Sequence, residues 1–192
     1  MNRLIIGAIF FVFITNCRES KKHFEYQEKV VSIALTTEGA QAKVKNPSMT
    51  WEMPAGWTKN LPKTMQFASF SLFEDNKYAK ASLSLLGGNG GGLKSNISRW
   101  MRQLKMIPLS SKKMELFVEN LDSVKIGEGY SGVLVDLTQI LSGGLGSTES
   151  TIGAIVPVGE KTLFVKMTGD KKVLKLNKAK FIELCQSLKE KK

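Results

Sequence analysis

The run Gly87-Gly88-Asn89-Gly90-Gly91-Gly92-Leu93-Lys94-Ser95 comes nearest to a known chemistry by its spacing. Phosphate-binding loops place Lys directly after the last Gly, where ammonium and backbone N–H groups meet the same phosphates. Here Leu93 intervenes and turns Lys94 by about 100° around the following helix, away from its N-terminus. The run therefore reads as a strand-to-helix connection. A weaker role survives, because N–H groups of Gly90, Gly91 and Gly92 ahead of a helix could still hold an anion. Ser110-Ser111-Lys112-Lys113 contains Ser-x-x-Lys, the nucleophile pattern of penicillin-binding enzymes. Neither Ser-Asp-Asn nor Lys-Thr-Gly follows it, and a helix N-cap is the better reading, with Ser111 able to cap.

Other nucleophilic or metal chemistry lacks its parts. The chain has one His, His23, and two Cys, Cys17 and Cys185. A single His excludes His-cluster metal sites and leaves Ser-His-Asp and Cys-His arrangements without a base, since His23 falls in a polar tether ahead of the folded domain. Two Cys exclude a disulfide framework or a four-thiolate zinc site, and no cofactor is implied. Asp136 stands inside an apolar strand, where a carboxylate is costly unless paired. It is either a general base with a raised pKa or the acceptor of a structural hydrogen bond. No second carboxylate is placed to work with it, so the structural bond is preferred.

Charge is the stronger signal. Lys and Arg number 28 against 17 Asp and Glu, a formal net charge of +11. Lys94, Arg99, Arg102 and Lys105 share one helix without an acid, and residues 171–192 carry eight Lys against Glu183 and Glu190. A solvated face is the first reading. Weak contact with an anionic lipid headgroup is the second. Nucleic acid is not expected, because the aromatic residues fall mostly on core positions rather than among the cations.

The N-terminus reads as an address. Met1-Asn2-Arg3 precedes an apolar stretch, 4–15, and then Asn16-Cys17, the layout of a secretory signal. Twelve apolar residues are too few for a spanning helix, which needs about 20. Ile14-Thr15-Asn16-Cys17 resembles the lipobox of bacterial lipoproteins, although Asn16 stands where Gly or Ala is usual. That resemblance implies cleavage between Asn16 and Cys17, with Cys17 acylated as the mature first residue. Two or three acyl chains hold a protein on a bilayer persistently. The expected organisation is a signal over 1–16, a lipidated tether over 17–47 and a globular domain over 48–192. Cys185, four residues after Phe181, reads as a buried, inert thiol.

The elements that must position these residues follow from periodicity. Strands are expected at 50–53, 65–73, 79–86, 130–137, 151–157 and 161–168, with a hairpin around Glu74-Asp75-Asn76-Lys77. A helix from Leu93 to about Met106 turns Leu93, Ile97, Trp100, Met101 and Leu104 inward. A short helix follows with Met114, Phe117, Val118 and Leu121, and a long one over 173–189 closes the chain. Strands apolar on both faces require a sheet covered on two sides. The expected fold is α+β, a three-layer sandwich with a largely antiparallel sheet and helices on both faces.

The opening Trp51-Glu52-Met53-Pro54-Ala55-Gly56-Trp57 resembles the aromatic-x-x-Pro-x-Gly-Trp start of PsbP/Mog1-like domains, and the order of elements is similar over 48–190. That family has no single activity, so the resemblance implies a fold and no reaction. The expectation is an exported, membrane-anchored cell-envelope protein, a binding or assembly module without catalytic activity. Its partners would be the membrane, through the anchor, and an envelope protein. The alternatives are a carrier or sensor of a small apolar or anionic ligand in a sheet–helix pocket, and a hydrolase using Asp136 or the Ser110 region.

Overall fold

A computed structural model describes residues 49–127, 129–140 and 148–191. The expectations for the signal, for Asn16 and Cys17, and for the tether lie outside the described residues. Within them the chain forms strands β1 (Met49–Thr50), β2 (Thr58–Asn60), β3 (Ala68–Glu74) and β4 (Lys77–Gly87). Helices α1 (Leu93–Gln103) and α2 (Ser111–Glu119) come next, then β5 (Asp122–Ile126), β6 (Tyr130–Asp136), a 3-10 turn at Leu137–Gln139, β7 (Glu149–Val158) and β8 (Lys161–Asp170). Helices α3 (Lys171–Leu176) and α4 (Lys178–Ser187) precede a last short strand, β9 (Lys189–Glu190).

Seven strands form one antiparallel sheet in the order β2-β3-β4-β8-β7-β6-β5. The chain builds one edge, crosses on α1 and α2 to the other, and returns strand by strand to the centre. Alternation along each strand sends residues to opposite faces. Ala79, Ala81 and Leu83 of β4 join Phe70, Leu72, Ile152, Ala154, Leu163 and Val165 in a core closed by Val173, Leu174, Phe181 and Leu184 of α3 and α4. On the opposite face Ile97, Trp100, Met101 and Leu104 pack with Met114 on Val135, Ile155 and Phe164. The molecule is α+β, a large antiparallel sheet with helices packed on it.

Several boundaries differ from expectation. Residues 51–53 are not strand; Met49–Thr50 alone pairs, with β9. Residues 65–67 precede β3, because Met65 takes a left-handed turn conformation at φ 68°. The hairpin turn is Asp75-Asn76, both at positive φ, as a two-residue connection requires. Helix α2 begins at Ser111 with Ser110 as its N-cap residue, and no side chain caps it. The long final helix is two short ones. Asn177 lies at their junction, its Nδ2 donating to Val173 O at 3.1 Å and its Oδ1 accepting from Trp57 Nε1 at 3.1 Å. A side chain that bonds the preceding turn and a distant indole competes with continuous helix. Leu188 then becomes extended, and 189–190 pair with β1 instead of continuing the helix.

Helices α1 and α2 cover β6, β7, β8 and the end of β4, and no described helix lies over β2, β3 and the rest of β4 on that face. Its residues are polar. One cross-strand row runs Asn60–Ser69–Ser82–Lys166–Gly153, and the next Thr58–Ser71–Lys80–Thr168–Thr151. The hairpin-end pair Phe73–Tyr78 closes this face.

Candidate functional site

The glycine run is bonded into the fold. Gly88 N–H donates to Glu160 O at 2.9 Å, and Thr162 Oγ1 donates to Gly88 O at 2.8 Å. Gly91 N–H donates to Asn89 Oδ1 and Gly92 N–H to Asn89 O. Asn96, fully buried, sends Nδ2 back to the Gly90 and Gly92 carbonyls at 2.9 and 2.7 Å. Gly90 sits so close to Phe164 that a β-carbon there would stand 2.5 Å from the ring. The N–H groups of Gly91 and Gly92 are thus used inside the protein, which removes most of the anion cradle that the run suggested. Lys94 points to Glu115 at 3.5 Å, an exposed pair worth little, and stands apart from the loop's phosphate-like geometry.

What the loop does position is Arg99. Two turns into α1, its Nη2 lies over Gly91, 3.3 Å from where a β-carbon would be. Beside it, Lys166 rises from β8 with Nζ 2.7 Å from Gln103 Oε1 and 5.5 Å from the centroid of Trp100. Trp100 is itself buried against Gly153, whose missing side chain makes its seat: a β-carbon there would stand 2.5 Å from the indole. Gln66, Ser82, Ser84, Leu86, Asn96 and Phe164 complete a shallow groove of about 180 Å³ between α1 and the polar face of β4 and β8.

The electrostatics of this groove are one-sided. Among the described residues, neither Arg99 nor Lys166 has a carboxylate within salt-bridge distance, and none lines the groove. Burial, followed by the charge of Arg99, pulls the Lys166 ammonium down from 10.5 to about 8. Lys166 is still mainly charged at neutral pH. Two cations facing hydroxyls with no acid between them form a place where an oxyanion relieves repulsion and desolvation together. The size decides against a large guest, since drug-sized ligands occupy roughly 300–1,000 Å³.

The other singled-out residues lie elsewhere. Arg102, on the same helix, is exposed, with no partner among the described residues. Asp136 lies at the end of β6, away from the groove. Its Oδ1 accepts from Thr138 N at 2.9 Å and Thr138 Oγ1 at 2.6 Å, and its Oδ2 from Lys178 Nζ at 2.8 Å. Burial pushes its pKa up, but the bonds from Lys178 and Thr138 outweigh that and hold the carboxyl below its ordinary value. A raised-pKa base is the opposite of what this geometry makes. Cys185 is buried, and burial pushes its thiol up to about 12, which makes it inert. Among the described residues no cluster of His, Cys, Asp or Glu could hold a metal ion, and no helix is long and apolar enough to cross a membrane.

Lys166, Ser82 and Ser84 were not singled out by sequence. One signal was available for Lys166: it interrupts the apolar run from Leu163 to Met167, the same anomaly that drew attention to Asp136. The serines carry no such mark.

No family model matches this chain, and no curated protein matches it. Among solved structures, it is similar to a protein of Bacteroides thetaiotaomicron at 16% sequence identity with a TM-score of 0.42. The match covers 75% of this chain and 45% of that one, so the chain spans less than half the length of the neighbour.

Proposed function

We propose that this chain is an exported, lipid-anchored binding module of the bacterial cell envelope that holds an anionic group in the α1 groove without transforming it. The observation that carries the reading is the meeting of Arg99 and Lys166 over Ser82 and Ser84 with no acid among the described lining residues. Catalysis is disfavoured by the same inventory. Among the described residues the groove lining has no carboxylate, His or Cys to move a proton, and Asp136 is held by Lys178 on the other face of the sheet. The carrier alternative narrows to small ligands with an anionic group, because the groove is shallow and carries two cations beside Trp100 and Phe164. We propose also that the sheet is of PsbP/Mog1 type, supported by the place of the Trp51–Trp57 segment: Trp51 and Trp57 both pack on Phe70 of β3.

The binding reading is tested by titrating the protein with inorganic phosphate and with galacturonate at low and physiological salt. Saturable binding that Arg99→Glu weakens by about tenfold supports it. Equal binding by parent and variant, or none to either, overturns it. Anchoring is tested separately by Cys17→Ser, which releases the protein from membranes or leaves the precursor unprocessed. Unchanged fractionation and mass would remove the anchor from the proposal.

A further inference from the structure

Building on the anion reading above, we infer that the ligand is a short 2-oxo acid: Arg99 holds its carboxylate, and the Lys166 amine captures its carbonyl carbon as a reversible imine.

The surroundings of Lys166 are those of a nucleophilic amine. In its cross-strand row it stands between Ser82 of β4 and Gly153 of β7, so neither neighbour offers a charge. Trp100 fills the space over Gly153, and its ring centroid lies 5.5 Å from Lys166 Nζ. Gln103 Oε1 accepts from Nζ at 2.7 Å, a neutral partner that orients the amine without holding its proton as a carboxylate would. Leu86, Trp100 and Phe164 make the rest of the groove partly apolar, and Arg99 supplies a second cation. Desolvation and a neighbouring cation are the two settings that activate lysine toward carbonyl groups. With the ammonium pulled down to about 8, roughly a tenth of the side chain is free amine at pH 7. An ordinary lysine has about one part in three thousand. Lys178, half-buried as well, is instead committed to Asp136 at 2.8 Å.

The groove suits both functional groups of such a ligand. At about 180 Å³ it holds the volume of roughly six waters, room for a chain of a few carbons. The planar fork of Arg99 matches a carboxylate and fixes the acid end. In a 2-oxo acid the carbonyl carbon is bonded directly to that carboxylate, as two side chains sharing so small a space require. The nitrogen lone pair adds to the carbonyl carbon, the oxygen takes a proton, and the carbinolamine loses water as the C=N bond forms. Ser82 and Ser84 line the groove with hydroxyls able to donate to that oxygen. In sum, ammonium and carbonyl become a protonated imine and water. No oxidant or reductant is consumed, and the positive charge stays beside the ligand carboxylate. Because the groove is shallow, water returns, the imine hydrolyses and the acid leaves unchanged. Phosphate or a simple carboxylate uses the two charges alone and forms no bond to nitrogen.

The test incubates the full-length protein in detergent micelles with glyoxylate or pyruvate and sodium cyanoborohydride, which reduces imines to stable secondary amines. Intact mass and peptide mapping should show an adduct at Lys166 forming about tenfold faster than at exposed lysines of the same sample. Acetaldehyde has the carbonyl without the carboxylate. On the same relative scale it should label Lys166 about tenfold less than glyoxylate, and Arg99→Gln should remove that preference. Lys166→Arg keeps the charge and lacks the nucleophile, so it should lose this adduct while phosphate binding stays within about twofold. Labelling spread evenly over the lysines, or a preference for glyoxylate that is absent from the parent or survives Arg99→Gln, overturns the imine. Saturable phosphate binding that Arg99→Glu weakens would then leave the anion reading standing. Loss of both the Lys166 adduct and phosphate binding in the parent overturns both.

Discussion

Two charged side chains interrupt apolar strands of one sheet, and the fold treats them oppositely. Asp136 ends β6 with four hydrogen bonds, one from the oppositely charged Lys178, so its charge is neutralised inside the protein. Lys166, on β8, receives a neutral amide, an indole face and a second cation. The first arrangement is complete without a ligand. The second is a half-buried charge that no described residue balances, and that difference separates a structural joint from a candidate binding site.

The largest expected effect bears on the platform that holds Lys166. Trp100 is 5% exposed and fills the space above Gly153, so Trp100→Ala should destabilise the protein by about 3–5 kcal/mol. Chemical denaturation measures this directly. A midpoint unchanged from the parent would mean that α1 is not seated on the sheet and that the groove has no wall.

Next comes the joint. Asp136→Ala removes the partner of Lys178 and of Thr138 and should cost about 2 kcal/mol, within the range for hydrogen bonds to charged groups. The pH dependence has a definite sign. A carboxyl held below its ordinary value contributes stability in full above about pH 4, and that contribution is lost as pH falls through the lowered native value. The parent should therefore lose more stability than Asp136→Ala on acidification below pH 4. Anion binding near neutral pH should not distinguish the two proteins; a tenfold loss in the variant would erase the contrast between joint and groove.

Lys166 gives the opposite pH behaviour. Its native value of about 8 lies below the ordinary 10.5, so the unfolded chain holds the proton more tightly. The stability cost of the buried ammonium is present in full below about pH 8 and fades as pH rises toward 10.5. Lys166→Met keeps the length and removes the charge, and should raise stability at pH 7 by about 1 kcal/mol. The gain should shrink by pH 10. The same substitution should weaken anion binding at pH 7, and in the parent the affinity should fall between pH 7 and 9 as the ammonium titrates. A parent affinity flat across that range would assign the anion to Arg99 alone.

The strands and helices with strong apolar periods were legible in sequence, and the polar ones were not. Alternation marked β4, with Ala79, Ala81 and Leu83 against Lys80, Ser82 and Ser84, and helical spacing marked the inward face of α1 from Ile97 to Leu104. Strand β2 is Thr-Lys-Asn, with no apolar residue to betray it, and β5 has only Val124 and Ile126 inside. Their pairing is set by neighbouring strands. The break at Asn177 depends on Trp57, 120 residues away, and no local pattern contains that contact. The candidate site divides the same way. Arg99 was visible as one cation of a basic helix. Its meeting with Lys166 and Ser82 was not, because cross-strand register and the seat of α1 on Gly153 bring them together.

The smallest expected effect asks whether that helix acts through one residue or through its field. Arg102 follows Arg99 by three residues, which leaves the two side chains about 60° apart around α1. Arg99 leans over Gly91 into the groove, and Arg102 is exposed on the flank. Arg102→Glu should change stability by no more than about 0.5 kcal/mol, as surface substitutions do. Its effect on anion affinity should depend on salt. Near 0.01 M the screening length is about 30 Å and a charge on the flank is felt; at 0.15 M it is about 8 Å and most of that influence is lost. A contact residue loses far less, because its ion pair forms inside the screening distance. The affinity loss from Arg102→Glu should therefore be a few-fold at low salt and under about twofold at physiological salt, while Arg99→Glu remains costly at both. Equal losses for the two at physiological salt would mean that the anion is held by the helix as a charged surface, and the groove beside Lys166 would lose its special standing.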